Sequence, residues 1–187
     1  MIPLITYSDL TPYKHITANL SANKLSQFLQ EAQEFDLRPL LGTELYIDLL
    51  DDAVASPPFG IYEDLMNGST YTKNSRKFKH EGLIPVLAYY TYARYIQSTG
   101  VNSTPSGMVQ KTNDFSQPSP EKMIARQISQ AQSGAKAYWE RVQRYIIDNK
   151  TDTFLNLYRC STTNTTGQGV KITAIGGNSQ DKIKYRS

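Results

Sequence analysis

The chain has 187 residues, which is enough for one domain with a sizeable core, and its 39% hydrophobic content is ordinary for a globular protein. Its net charge is only +3, and basic and acidic residues are equal in number up to Cys160, so the excess lies in the C-terminal segment. This balance argues against a dedicated duplex-DNA-binding domain, which normally carries a basic face within its fold. The single cysteine excludes an intramolecular disulfide and a cysteine-based zinc cluster, and we expect it to be a small packing residue.

The N-terminal residues, MIPLITYSDL, have no basic segment before an apolar core and do not predict a signal peptide. The longest apolar run, Leu83 to Ile96, is interrupted by Thr91 and Arg94 and is too short to span a bilayer. We therefore expect no contact with a membrane.

Residues 18–50 predict two amphipathic helices that are separated at Arg38-Pro39 and Gly42. Ser21 is placed to cap the first helix, and Pro39 predicts its end because proline lacks an amide proton. Thr43 is expected to cap the second helix. The apolar stripe of the first helix consists of Leu25, Phe28, Leu29, Ala32 and Phe35, and that of the second consists of Leu45, Tyr46, Leu49 and Leu50.

The apolar run from Leu83 to Ile96 predicts a helix at the centre of the core, because a helix with almost no polar face must be surrounded by protein. Pro85 fits if the helix begins just before it. The tyrosines of this run allow a second interpretation, a stacking platform for single-stranded nucleic acid. We favour core packing, because the tyrosines are mixed with aliphatic residues and have only Arg94 beside them.

A long helix is predicted from Ser119-Pro120 to about Asn149. Gly134 is the position where a kink would cost least, and a small residue there also allows a neighbour to approach closely. Trp139 lies off the apolar seam, so it is either at the edge of the core or in a subunit contact. The seam suits packing along another helix and consists of Ile124, Ile128, Ala131, Ala135, Tyr138, Val142 and Tyr145.

Two segments interrupt the helical pattern. Residues 56–79 carry a basic cluster and predict at most one short helix, around Ile61 to Met66. Residues 100–119 predict a loop or a short hairpin around the alternating run from Met108 to Lys111, and connections of this length are commonly functional. The basic cluster of the first segment consists of Lys73, Arg76, Lys77 and Lys79.

Catalytic chemistry finds little support in the sequence. His15 and His80 are the only imidazoles, and neither has a second type of metal ligand at helical spacing, so we expect solvated or capping histidines and no metal. Gly167-Gln168-Gly169 lacks the Lys-Ser/Thr ending of a phosphate-binding loop. We expect a protein that is not an enzyme and needs no cofactor. The acidic residues expected on water-exposed helix faces are Glu31, Glu34, Asp48, Asp51 and Asp52.

After Tyr158 the composition changes to Ser, Thr, Asn and Gly, which predicts a helical domain over residues 1–160 and an extended arm over residues 161–187. The arm contains one alternating segment, Val170 to Ile175, which reads either as a strand that pairs with a neighbouring subunit or protein, or as part of a disordered tail. The candidate contact residues in this segment are Val170, Ile172 and Ile175, and the basic residues available to DNA are Lys171, Lys182, Lys184 and Arg186.

Three stretches carry a resemblance to a known family. The first is an Asn-Leu pair followed by D-L-x-P-L-L-G-x-x-L-Y from Asp36 to Tyr46. The second is LAYYTYARYI from Leu87, and the third is SGMVQKTNDFSQP from Ser106. Together they resemble a family of small proteins of phages and prophages infecting Bacteroidetes, crAss-like phages included. That family is similar in turn to the helical head-tail connector proteins of tailed phages.

The resemblance implies an all-α bundle with a long C-terminal helix, a projecting loop or short hairpin, and an extended arm. It implies a structural subunit of a homo-oligomeric ring, commonly twelvefold, that docks on the portal protein and joins it to the tail. Further implied partners are neck or tail proteins, and DNA that passes through the lumen without sequence-specific binding.

The implied location is the neck of the virion, after synthesis in the host cytoplasm. Met108, Val109, Ala135 and Trp139 are then candidate subunit contacts, and Lys111 is a candidate DNA contact. The alternative is a nucleic-acid-binding accessory protein that uses the tyrosines and the basic tail.

Overall fold

A computed structural model describes residues 3–14, 16, 22–55, 60–99, 102–104, 107–109, 121–150 and 155–159. These residues are mostly helical, and two small antiparallel hairpins accompany the helices. The helical class is therefore confirmed, and the all-α prediction is corrected by the hairpins. Several predicted features lie outside the described residues, namely the arm from 161 to 187 with its strand and basic residues, Ser21 with its cap, His15, Lys111 and Cys160.

The elements follow one another in a simple order along the chain. The early helices are α1 (Tyr7–Leu10), α2 (Ala22–Glu31), a π-helical segment (Ala32–Leu37), α3 (Arg38–Leu41), α4 (Thr43–Val54) and α5 (Gly60–Asn67). They are followed by β1 (Thr70–Lys73), β2 (Arg76–Lys79), α6 (Leu83–Thr99), β3 (Asn102–Thr104), β4 (Gly107–Val109), α7 (Glu121–Asp148) and a 3-10 turn (Leu155–Leu157).

The first long helix does not end at Pro39. It continues from α2 through the π-helical segment into α3, and the chain turns only at Gly42, where φ is 81°. Within the wider π turn the amide of Arg38 donates to the carbonyl of Gln33, and Pro39 then falls in the first turn of α3, where a missing amide costs little. The predicted break at Pro39 was therefore wrong.

The π-helical turn also changes which side chains face the core. Phe35, predicted to be buried, is 66% exposed, whereas Gln33 and Leu37 are buried, because the extra residue of the π turn rotates the helix face. Thr43 does not cap α4 as predicted; it is the first helical residue, and Gly42 occupies the cap position without a side-chain hydrogen bond. The predicted buried face of α4 is confirmed for Leu45, Tyr46 and Leu49, and Leu50 is half-buried.

Helix α6 lies at the centre of the core, as its apolar composition predicted. None of its residues from Leu83 to Ile96 is exposed, and it packs along α7 and also against α1, α2 and α5. Pro85 lies in the first turn, which agrees with a helix that begins just before it.

Helix α7 is continuous over 28 residues, which corresponds to a length of about 42 Å. A Cβ atom on Gly134 would lie 2.4 Å from Cε1 of Tyr89 on α6, so the glycine allows the two helices to approach and α7 does not end there. The buried face contains Ala131, Ala135, Val142 and Tyr145 of the predicted seam, together with Trp139 and Ile146.

Of the two hairpins, the sequence predicted the second, as one of two alternatives, and not the first. Strands β3 and β4 pair antiparallel with Ser103 opposite Met108, so a short hairpin is present among the described residues of that segment. Strands β1 and β2 were not predicted, and they pair with Tyr71 opposite Phe78. Their two-residue turn places Asn74 and Ser75 at φ values of 50° and 61°, the left-handed region that a tight hairpin turn requires.

Candidate functional site: a basic hairpin beside the long helix

The β1–β2 hairpin is held against the C-terminal end of α7 by its inner face. The ring of Tyr71 stacks on Phe78 at 5.5 Å and meets the edge of Tyr145 at 5.3 Å between centroids. The Tyr71 hydroxyl donates to the Asp148 carboxylate at 2.9 Å, and the Lys73 ammonium donates to the Asp148 carbonyl at 2.6 Å. Partial burial and the bond to Asp148 raise the pKa of Tyr71 to about 12, so its hydroxyl remains a donor at neutral pH.

His80 fixes the base of the same hairpin. It is 0% exposed, contrary to the expectation of a solvated or capping histidine, and its ring stacks on Tyr145 at 4.1 Å. Nε2 lies 3.1 Å from the Ser69 hydroxyl, and the His80 amide donates to the Ser69 carbonyl, whereas Nδ1 has no hydrogen-bond partner in the described part of the chain. Burial lowers the pKa of His80, which favours the neutral ring.

Two glycines allow the backbone segments before and after the hairpin to lie in direct contact with each other. Gly68 and Gly82 have φ values of 87° and 79°, and a Cβ atom on Gly82 would overlap the carbonyl of Met66. The Asn67-Gly68 pair was part of the predicted excursion from helical structure, and it ends α5 directly before β1.

The exposed side chains of the hairpin are strongly basic. Residues 70–79 contain four cations and no carboxylate. The outer face, which we call the hairpin face, consists of Thr70, Thr72, Lys77 and Lys79, and all four are exposed. At the tip, Lys73 and Arg76 border an open groove of about 520 Å³ whose other walls are Asn74, Phe78, Arg144 and Asp148. Such a surface can hold anionic groups electrostatically, whereas the hairpin itself offers no carboxylate or imidazole for acid-base chemistry.

A family comparison identifies the chain at the level of its family. Residues 37–168 match a family of unknown function, DUF6712. The chain belongs to this family. The matched residues run from the end of the π-helical segment through both hairpins and α7, so the basic hairpin lies inside the family segment. No curated protein and no solved structure matches the chain.

Of the predicted subunit contacts of this DUF6712 protein, two lie in the core and two lie in the second hairpin. Ala135 and Trp139 are buried in the core of the single chain, and the Trp139 ring meets Tyr158 edge-on at 6.4 Å. The structure therefore favours the core alternative for Trp139 and gives neither residue an exposed surface. Met108 and Val109 lie in β4. The predicted DNA contacts lie outside the described residues, and the hairpin cations, noticed in the sequence only as a basic cluster, now form the main described basic surface.

The tyrosines of α6 pack as the core interpretation predicts. Tyr89 fits against Gly134 and lies 5.5 Å from Tyr138 between ring centroids, and the Lys14 ammonium lies 4.4 Å from the Tyr89 centroid. Tyr90, Tyr92 and Tyr95 are half-buried against the core. These contacts occupy part of the ring surface that a stacking platform would need to expose.

Several acidic residues are less exposed than predicted. Asp52 is buried, Asp48 accepts a hydrogen bond of 2.6 Å from Tyr62, and Glu34 accepts bonds from Tyr46 and Arg38 at 2.8 and 3.0 Å. The bond from Tyr46 is the largest influence that lowers the pKa of Glu34. Within the described residues of the DUF6712 protein, no three His, Cys, Asp or Glu side chains converge as a metal site would require, and no helix is long and apolar enough to cross a membrane.

Proposed function

We propose that this DUF6712 protein is a structural virion protein, a subunit of a head-tail connector ring that docks on the portal and joins it to the tail around the DNA channel. The proposal comes from the resemblance of three stretches of the sequence to phage proteins. It is supported by the contacts that the first two of those stretches make in the fold.

The observation that carries the proposal is an ion pair between two of these stretches. Asp36, the first residue of D-L-x-P-L-L-G-x-x-L-Y, accepts two hydrogen bonds from Arg94 of LAYYTYARYI, at 2.7 and 3.1 Å. Arg94 also lies 3.6 Å from Glu31, so α6 is fixed to the end of α2 and to the π-helical segment. The first two matching stretches are thus held together in one part of the fold, which is what a shared scaffold requires.

The remaining residues of the first stretch also have structural roles. Leu37, Leu41, Leu45 and Tyr46 are buried, and Gly42 adopts the positive φ at which α3 turns into α4. A pattern made of core residues and one turn glycine specifies a helical scaffold, and a ring subunit uses such a scaffold to present surfaces to its neighbours.

The test is a native mass measurement of the purified protein alone, the portal alone and the two mixed. We expect a complex in which several copies bind one portal, with twelve as the number that the resemblance implies. An unrelated helical protein of similar size, mixed with the same portal, serves as the control. If the protein stays free of the portal and is also missing from purified virions, the connector function is wrong.

The same experiment separates the connector function from the alternative of a nucleic-acid-binding accessory protein. The alternative predicts DNA affinity that falls steeply with salt, together with no association with the portal. Portal binding in many copies contradicts the alternative even if some DNA affinity is present.

A further inference from the structure

We infer that the hairpin face binds the phosphate backbone of duplex DNA without reading its sequence. The inference deepens the proposed function and rests on it for the identity of the polyanion. It assigns DNA contact to a part of the chain other than the arm and the long loop, where the sequence alone placed it.

The strand register separates the two faces of the hairpin. Side chains alternate along a strand, so the pair Tyr71 and Phe78 faces α7, and the neighbouring pairs lie on the other face of the hairpin, where Lys79 also borders a groove with Glu140 and Arg141 of α7. Those outward pairs are Thr72 with Lys77 and Thr70 with Lys79, and all four residues are exposed. The face presents two ammonium groups and two hydroxyls, which are the donor types that contact phosphate oxygens in protein–DNA complexes.

The spacing on this face suits a regular row of phosphates. Lys77 and Lys79 are two residues apart on one strand and so are separated by about 6.6 Å along it. Phosphates recur every 3.4 Å or so along the axis for each strand of B-DNA, and successive phosphates lie further apart than this because the strand winds around the axis, so the two lysines can face neighbouring phosphates of one strand.

The positive charge of the hairpin is not neutralised within the described residues. Arg76, Lys77, Lys79 and Arg144 have no ion-pair partner there, whereas Arg38, Arg94, Arg141 and Arg159 each pair with a carboxylate. Asp148 and Glu140 line the two grooves beside the hairpin, and the cations that line the same grooves outnumber these two carboxylates. A local excess of this kind attracts a polyanion, and each phosphate contact releases counterions, so the affinity must depend on salt.

The composition of the face favours DNA over an acidic protein as the partner. The centres of protein–protein interfaces are enriched in aromatic residues and depleted in lysine. Here the aromatic residues Tyr71 and Phe78 hold the hairpin to α7, and the outward face has only threonine and lysine. Protein–DNA interfaces are more polar and more positively charged, as this face is.

The experiment measures the affinity of the full-length protein for a labelled duplex of about 30 base pairs, by fluorescence anisotropy, between about 50 and about 200 mM salt. The test variant is Lys77→Glu with Lys79→Glu. The matched control is Lys122→Glu with Lys136→Glu, which makes the same change in charge at two exposed positions of α7. A third variant, Lys182→Glu with Lys184→Glu, tests the arm.

We expect the hairpin variant to lose at least about tenfold in affinity at the lower salt concentration. The slope of log affinity against log salt should become shallower by about 2, because each phosphate contact contributes about 0.9. The control should change affinity less than about threefold. If the glutamate variant fails to fold, as judged by circular dichroism, the variant Lys77→Ala with Lys79→Ala is used in its place. It should also lose affinity for the duplex, by a smaller factor.

Equal losses in the hairpin and control variants would overturn the inference, since net charge alone would then explain the binding. It would equally be overturned if only the arm variant lost affinity. A hairpin variant that keeps its DNA affinity but no longer binds the portal would identify the face as a protein contact, and the connector function would still stand. Conversely, a protein that binds DNA through the hairpin but never binds the portal would remove the connector function and leave the DNA-binding face.

Discussion

Gly134 shows how one absent side chain sets the distance between the two central helices. An alanine at an exposed helix position is more favourable than glycine by about 1 kcal/mol. At Gly134, however, the added Cβ would lie 2.4 Å from the ring of Tyr89, which Tyr138 and Lys14 contact from other sides. Overpacking of this kind typically costs about 1–3 kcal/mol, so the clash outweighs or offsets the gain in helix propensity.

We therefore expect Gly134→Ala to lower the free energy of unfolding, measured by urea denaturation, by up to about 2 kcal/mol. In a Tyr89→Ala background the clash is absent, and the same substitution should raise stability by up to about 1 kcal/mol. The change of sign between the two backgrounds is the diagnostic result. Stabilisation by Gly134→Ala in the wild-type background would contradict the close approach of α6 and α7.

The burial of His80 at the base of the hairpin predicts a dependence of stability on pH. Burial lowers its pKa in the folded state below the ordinary value of 6.5, although the charges of Asp64 and Glu81 act in the opposite direction. As the pH falls, the unfolded chain therefore binds a proton before the folded one does. The stabilisation is complete above about pH 6.5 and is lost as the pH falls from there towards the folded-state pKa.

We expect the melting temperature of the wild-type protein to fall between about pH 7 and about pH 5.5 as the unfolded state gains its proton. His80→Gln removes this contribution, so its melting temperature should be lower overall but should fall less steeply over the same interval. Ser129→Ala changes an exposed residue of α7 that does not titrate in this interval; it is the control and should retain the wild-type slope. Equal slopes for the wild type and His80→Gln would show that the buried ring does not control the pH response.

The long helices were predictable because their signals are contained within one segment. The predominantly apolar composition of α6 and the 4-3 spacing of α7 do not depend on the rest of the chain, and both helices lie within a few residues of their predicted bounds. The continuation through Pro39 was not predictable, since the rule that proline ends a helix assumes α-helical hydrogen bonding. The π turn before it changes which amides are required.

The candidate site was predictable only in part. The four cations were visible as a cluster, but the hairpin was not, because its turn is Asn74-Ser75 rather than the Asn-Gly pair that signals such turns. The strands are short, and their inward residues, Tyr71 and Phe78, are hidden among lysines and threonines. Arg144 and Asp148 complete the site from another helix, and only the tertiary fold brings them to it.

The packing of α7 can be tested at Ala135, which is 0% exposed and lies on the face of α7 that meets the core. Ala135→Phe should destabilise the protein by about 1–3 kcal/mol in denaturant unfolding, because the two helices leave no space for a ring. Ala125→Phe makes the same chemical change at an exposed position of the same helix and should alter stability by less than about 0.5 kcal/mol. Equal effects of the two variants would contradict the assigned buried face.

For the molecule as a whole, the proposed connector function predicts many copies in one closed assembly. A ring is built from head-to-tail contacts, in which one surface of each subunit meets a different surface of the next, and the rotation must close. The protein should therefore occur at a fixed ratio to the portal, and the ratio should be close to one if the two rings share the same symmetry. Quantitative mass spectrometry of purified virions, with the portal as the internal standard, measures this ratio.

Purified alone, the protein can remain a monomer and still fit this account, because a ring can close on the portal as its template. One or two copies per particle would be incompatible with a closed ring, whatever the affinity of the single subunit for DNA.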